Sequence, residues 1–121
     1  IEPAEHSALD TSSLNPEPAG ARGRITVRDG AFVTADGRPV RFFGVNIASD
    51  DAFPSESDAE WLARRLAKAG VNIARLHHLD NPWGVGSGGS LWSQHGGHRQ
   101  PDPAQLDKLH RLIAVLAHRV V

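Results

Sequence analysis

The chain has 121 residues, 13 of them basic and 14 acidic for a net charge of −1, and it contains neither cysteine nor methionine. That length allows one small domain with a modest core, and the interspersed charges argue against a nucleic-acid or membrane-surface role. The missing cysteines exclude disulfides, zinc ribbons and thiol nucleophiles.

No apolar run approaches membrane-spanning length, and residues 1–8 do not read as a signal peptide. The lack of methionine marks the chain as a processed product or a piece of a longer reading frame. Residues 1–22, with Pro3, Pro16, Pro18 and Gly20, show no periodicity and read by composition as a flexible lead-in. Arg24 to Phe43 reads as an antiparallel meander. Ile25 and Val27 alternate with polar residues, Asp29-Gly30 suits a tight hairpin turn, and Asp36-Gly37 marks a second turn before Pro39. Val40 to Ile47 then continues as an apolar strand, with Gly44 inside it pointing to a bend or a close backbone approach.

Ser55 is the expected N-cap of a helix with Glu56 and Asp58 in its first turn. Ala59, Leu62, Ala63, Leu66 and Ala67 form its apolar stripe, Glu60 and Arg64 are spaced as an exposed i,i+4 pair, and Trp61 sits at the stripe's edge as a packing residue. Gly70 occupies the position after the C-cap. Val71 to His77 reads as a buried strand, with Val71, Ile73, Arg75 and His77 on one face and Asn72, Ala74, Leu76 and His78 on the other. Polar residues gather at its exit, which is the ligand-binding edge of parallel α/β sheets.

Asn81 to Pro101 is a long loop holding six glycines, Trp83, Trp92, His95 and His98. Asp102 caps a second helix, with Pro103 and Gln105 in its first turn, and Leu106, Leu109, Leu112, Ile113 and Leu116 form its stripe.

Phe43-Gly44-Val45-Asn46, followed after a helix by Gly70-Val-Asn-Ile-Ala-Arg75-Leu-His77-His78-Leu-Asp80, resembles the start of a bacterial cellulase-like glycoside hydrolase of the family 5 type. The resemblance runs from about Asp10 to Arg119. It implies an α/β fold: the first two βα units of a partial (β/α)8 TIM barrel, preceded by the β-hairpin meander as its floor. Residues 1–22 would then be the extended segment that packs along such barrels, and residues 23–121 the N-terminal part of the catalytic domain. A complete barrel takes roughly 250 residues. Two parallel strands cannot close one, so each keeps an unpaired edge.

The resemblance also implies retaining hydrolysis of β-glycosidic bonds in poly- or oligosaccharides, without a cofactor, by a secreted or periplasmic enzyme. That chemistry uses two carboxylates about 5–5.5 Å apart, which in this family are glutamates at the ends of the fourth and seventh strands. Here the last glutamate is Glu60, on a helix, so the catalytic pair is absent and the chain cannot perform the reaction unaided. Its partners would be the carbohydrate and the rest of the barrel.

Arg75 matches the family arginine that orients the nucleophilic glutamate, the alternative being an ion pair with Asp80 or Asp50. Strand alternation allows only one of His77 and His78 into a cleft: His77 is taken as the sugar-hydroxyl donor and His78 as a packed residue. Asp80 either accepts from sugar hydroxyls or caps the loop. Asn46 is a further donor, and Trp83 and Trp92 are candidates for stacking on sugar rings. Two other readings remain: a non-catalytic carbohydrate-binding or interaction fragment, and a metal site built from His77, His78, Asp80, His95 and His98.

Overall fold

The computed structural model describes residues 4, 7–81, 83, 88–92 and 100–119. Strands β1 (Thr26–Arg28) and β2 (Ala31–Val33) form an antiparallel hairpin. Its turn uses Asp29 and Gly30, both at positive φ (51° and 76°), as the primed turns that match strand twist require. Strands β3 (Gly44–Ala48) and β4 (Ile73–His77) form a separate parallel pair, with Asn46 opposite Arg75 and Ala48 opposite His77. Helix α1 (Glu56–Lys68) connects β3 to β4, and helix α2 (Pro103–Arg119) follows. The described strands close no barrel. No described helix is long and apolar enough to cross a membrane.

Both strands of the parallel pair are shorter than their apolar runs suggest. Helix α1 begins at Ser55, whose side chain accepts from the Asp58 amide, and ends in a Schellman turn. There the Gly70 amide donates to the Ala67 carbonyl at 2.9 Å and the Val71 amide to the Leu66 carbonyl at 3.0 Å. Gly70 sits at φ 73°, and a Cβ on it would also lie 2.8 Å from Thr11 Oγ1. Val71 therefore belongs to the helix cap and packs into the core at 2% exposure, whereas Ile73, on its expected face, is 40% exposed.

Residues 40–43 also fall outside β3. The Asn72 side chain takes the place of ladder bonds there, accepting from the Phe43 amide (2.7 Å) and donating to the Arg41 carbonyl (2.8 Å). Val40 instead bonds back to Phe32 in the hairpin at 2.8 Å. At Gly44 the two strands approach so closely that a Cβ would meet Ile73 Cγ2 at 2.5 Å and the Ile73 carbonyl oxygen at 3.0 Å.

The core lies between one face of the β3–β4 pair and the two helices. Ile47, Phe53, Ala59, Ala63, Val71, Leu109, Leu112 and Leu116 are buried, with Val45, Ala74 and Leu76 packed against them. Three details of the helices differ from expectation. Ile113 is 46% exposed, because Gln105, Leu109, Leu112 and Leu116 set the inward stripe and Ile113 lies about 100° round from Leu112. Glu60 pairs with Arg119 at 3.4 Å rather than with Arg64, joining α1 to α2. Trp61 is 45% exposed, with the Arg65 guanidinium 5.0 Å above its ring.

The lead-in is tied down at several points. Thr11 bonds the Lys68 carbonyl through both its amide and its hydroxyl, at 2.9 Å each. Asn15 Nδ2 donates to the Val71 carbonyl at 3.3 Å, and the Ala19 amide donates to the Ala117 carbonyl at 2.8 Å. Carbonyls at the C-terminal ends of both helices, which have no partner within the helix, are thereby satisfied.

Candidate functional site

The register of β3 on β4 sets Asn46 beside Arg75, and the period of two sets His77 beyond Arg75 on the same face. This is the face that the helices leave open. Arg75 Nη1 donates to Asn46 Oδ1 at 3.3 Å and also contacts His77 Nδ1. A guanidinium can only donate, so His77 Nδ1 is the unprotonated ring nitrogen and Nε2 carries the hydrogen. Desolvation, then the neighbouring Arg75 charge, then His78, hold the His77 pKa below its ordinary value, against a smaller opposing pull from Asp80. His77 is thus a neutral ring with one N–H to offer.

His78 does not alternate to the other side. It takes φ 56°, and its ring lies edge-on to His77 with centroids 3.8 Å apart. The left-handed residue ends the strand and swings the second imidazole back beside the first, so the expected separation of the two rings onto opposite faces does not occur. Ser49, which follows β3 at the matching position, does the same with φ 52°. Both strands therefore end in the same kink, and Asp50 and Asp80 follow shortly after.

Arg75 is exposed, and among the described residues no carboxylate lies within ion-pair distance of it. The ion pair with Asp80 or Asp50 offered by the sequence does not form. Asp50 faces the loop instead: a Cβ on Gly89 would overlap its carboxylate.

The long loop is anchored at its base. The Leu91 amide donates to the Leu79 carbonyl and the Asp102 amide to the Leu91 carbonyl, both at 2.7 Å, and Trp92 bridges to Pro101. Ser90 is 1% exposed beneath this turn. Trp92 is consequently half-buried at the loop base, whereas Trp83 is 86% exposed with its amide on Asn81 Oδ1 at 3.0 Å. Of the two tryptophans only Trp83 presents an open indole face.

His95 and His98 lie outside the described residues. Among the described residues no group of three or more His, Asp or Glu gathers closely enough to hold a metal. Asn72, the residue sequence reasoning missed, contributes structure only. Its one signal was a polar side chain ahead of an apolar strand.

Comparison of the chain with family models, curated proteins and solved structures returns no match.

Proposed function

We propose that this chain is the N-terminal part of a (β/α)8 glycoside hydrolase of the family 5 type, which cleaves β-glycosidic bonds in poly- or oligosaccharides with retention of configuration. In this reading the chain supplies a wall of the substrate cleft and the remainder of the barrel supplies the two catalytic glutamates. The observation that carries the proposal is the line of Asn46, Arg75 and His77 on the uncovered face of a parallel strand pair, at its exit. The motif resemblance sets the enzyme class.

Each side chain has a distinct task under this proposal. Among the described residues Arg75 is held through Nη1 alone, which leaves its Nε–Nη2 edge for bidentate contact with a carboxylate, the geometry a guanidinium suits best. His77 offers Nε2–H to a sugar hydroxyl. His78 sits edge-on against His77 and orients it, and Asp80 accepts from hydroxyls at the rim. Trp83 supplies a stacking surface for the C–H face of a sugar ring, with Trp92 as the fixed base of its loop.

The test has two arms. Titration of the chain with cello-, manno- and laminari-oligosaccharides should change indole fluorescence, and Trp83→Ala should remove the response. The chain alone should release no reducing sugar, while a longer reading frame carrying two strand-end glutamates should. Hydrolysis by the 121-residue chain, or an inactive longer frame, would overturn the enzymatic reading. Binding without turnover in the longer frame would favour the second reading, a carbohydrate-binding module, which the exposure of Trp83 also supports.

A further inference from the structure

The sequence holds two Asp-Gly dipeptides, Asp29-Gly30 and Asp36-Gly37, and each stands in a turn of the hairpin region. Glycine has no side chain to shield its amide nitrogen, so an aspartate before it is the one most open to attack by the following amide. The covalent chemistry of the two pairs is the same. Their surroundings are not.

Asp36 is held on both oxygens. The Thr34 hydroxyl donates to Oδ1, while Arg38 Nε and Arg22 Nη1 reach Oδ2 at 3.1 and 3.3 Å. Thr34 first, then Arg38 and Arg22, outweigh desolvation and keep this carboxyl below its ordinary pKa. It therefore stays ionised, the form with no hydroxyl to lose as water. The attacking group is engaged as well, because the Gly37 amide donates to the Thr34 carbonyl at 2.9 Å.

At the other turn Arg28 and Ala31 close the ladder, which leaves Asp29 and Gly30 as the whole loop. Both are exposed. Among the described residues neither the Asp29 carboxyl nor the Gly30 amide has a hydrogen-bond or ion-pair partner. Both reacting groups are free, in contrast to those of the second pair.

We propose that Asp29 is a site of spontaneous isomerisation to isoaspartate, and that Asp36, in the same dipeptide, is protected by Thr34, Arg22 and Arg38. The Gly30 nitrogen attacks Asp29 Cγ, forming an N–Cγ bond. The amide proton and the side-chain hydroxyl leave together as water, and a five-membered succinimide results. A water molecule then opens the ring. Attack at Cγ restores aspartate, whereas attack at the former main-chain carbonyl breaks its bond to the Gly30 nitrogen and routes the chain through Cβ and Cγ. Water is the only co-reactant, and nothing is oxidised or reduced.

The product matters to the fold because the new linkage adds one methylene to the main chain of a two-residue turn. Such a turn fixes the register of its strands by its length, so isoaspartate at this position separates Arg28 from Ala31. Strand β2 keeps its other neighbours, the Val40 amide on the Phe32 carbonyl and the bridge from Val33 to Pro39. The damage falls on β1.

This inference concerns the hairpin turn rather than the open face, so it stands or falls apart from the glycosidase reading. The chain is incubated at neutral pH in water enriched in heavy oxygen, then digested and mapped by mass spectrometry. Incorporated label reports ring opening at each aspartate, and resistance to an aspartate-specific protease reports isoaspartate. Both should appear at Asp29, with Asp36 slower by about tenfold or more because its charge-assisted hydrogen bonds break first. In denaturant the two sites should react at similar rates. The double variant R22A/R38A should speed Asp36 while Asp29, in the same chain, serves as the reference. Thr34→Val, which removes only the hydroxyl contact, should do so independently. Equal rates at the two sites in the folded chain would overturn the proposal. So would an Asp29 that takes up no label while the denatured chain does, or an Asp36 whose rate is indifferent to both sets of substitutions.

Discussion

The two faces of the β3–β4 pair are five residues long on each strand and share one backbone, yet they serve opposite ends. On the helix side Val45, Ile47, Ala74 and Leu76 pack against Leu109, Leu112 and Leu116. On the other side Gly44, Asn46, Ile73 and Arg75 are exposed, with Arg75 held by an amide and an imidazole in place of a carboxylate. The difference teaches where the stability resides. Apolar burial on one face holds the strands in register, and that register alone brings Asn46, Arg75 and His77 into line on the other. The polar face uses the fold without supporting it, because exposed hydrogen bonds exchange with water at little net gain.

Substitutions on either face test this division. Leu112 has no exposure, so Leu112→Ala should cost about 2–5 kcal/mol in denaturant unfolding. A cost under 1 kcal/mol there would show the helix side to be loosely packed. At the start of the helix that carries Leu112, Asp102 Oδ1 accepts from the Ala104 and Gln105 amides at 2.9 and 3.2 Å. Asp102→Ala should cost about 1 kcal/mol by the same measurement. Trp83→Ala in the exposed loop should change stability by no more than about 0.5 kcal/mol while abolishing oligosaccharide binding, and Arg75→Ala on the open face should leave stability within the same range. A large loss of stability in Arg75→Ala would break the comparison.

The smallest effect is one of pH. A histidine pKa held low means that the folded chain binds fewer protons than the unfolded one, so stability rises with pH. The contribution of His77 should be fully present above its ordinary value of 6.5 and lost as the pH falls through its lower folded value. Proton NMR of the His77 ring should show that titration directly. In Arg75→Ala the midpoint should move up, because the neighbouring positive charge is gone while desolvation remains. Asp36 in the hairpin behaves in the same sense, in a lower pH window. The Thr34 hydroxyl, then Arg38 and Arg22, hold its pKa low, so its contribution is lost only as the pH falls below the ordinary carboxylate range.

Local pattern was enough to locate much of this molecule. The N-caps Ser55 and Asp102, the left-handed Gly70, the Asp29-Gly30 turn and the two helical stripes depend on neighbours within a few residues, and they stand where the sequence indicates. The parallel pairing of β3 and β4 was also legible, since a helix of this length between two apolar runs returns the chain in the same direction.

What the sequence could not decide was set by contacts between distant residues. Val71 reads as a strand residue until the Schellman turn claims its amide, and Asn72 reads as a sheet residue until Arg41 and Phe43 claim its side chain. Alternation separates His77 from His78, but a left-handed backbone at His78 rejoins them. The exposure of Trp61 and Ile113 and the partnership of Glu60 with Arg119 depend on how the helices are rotated against each other. A periodic stripe constrains that rotation only to within its own width, and packing against the sheet selects the angle.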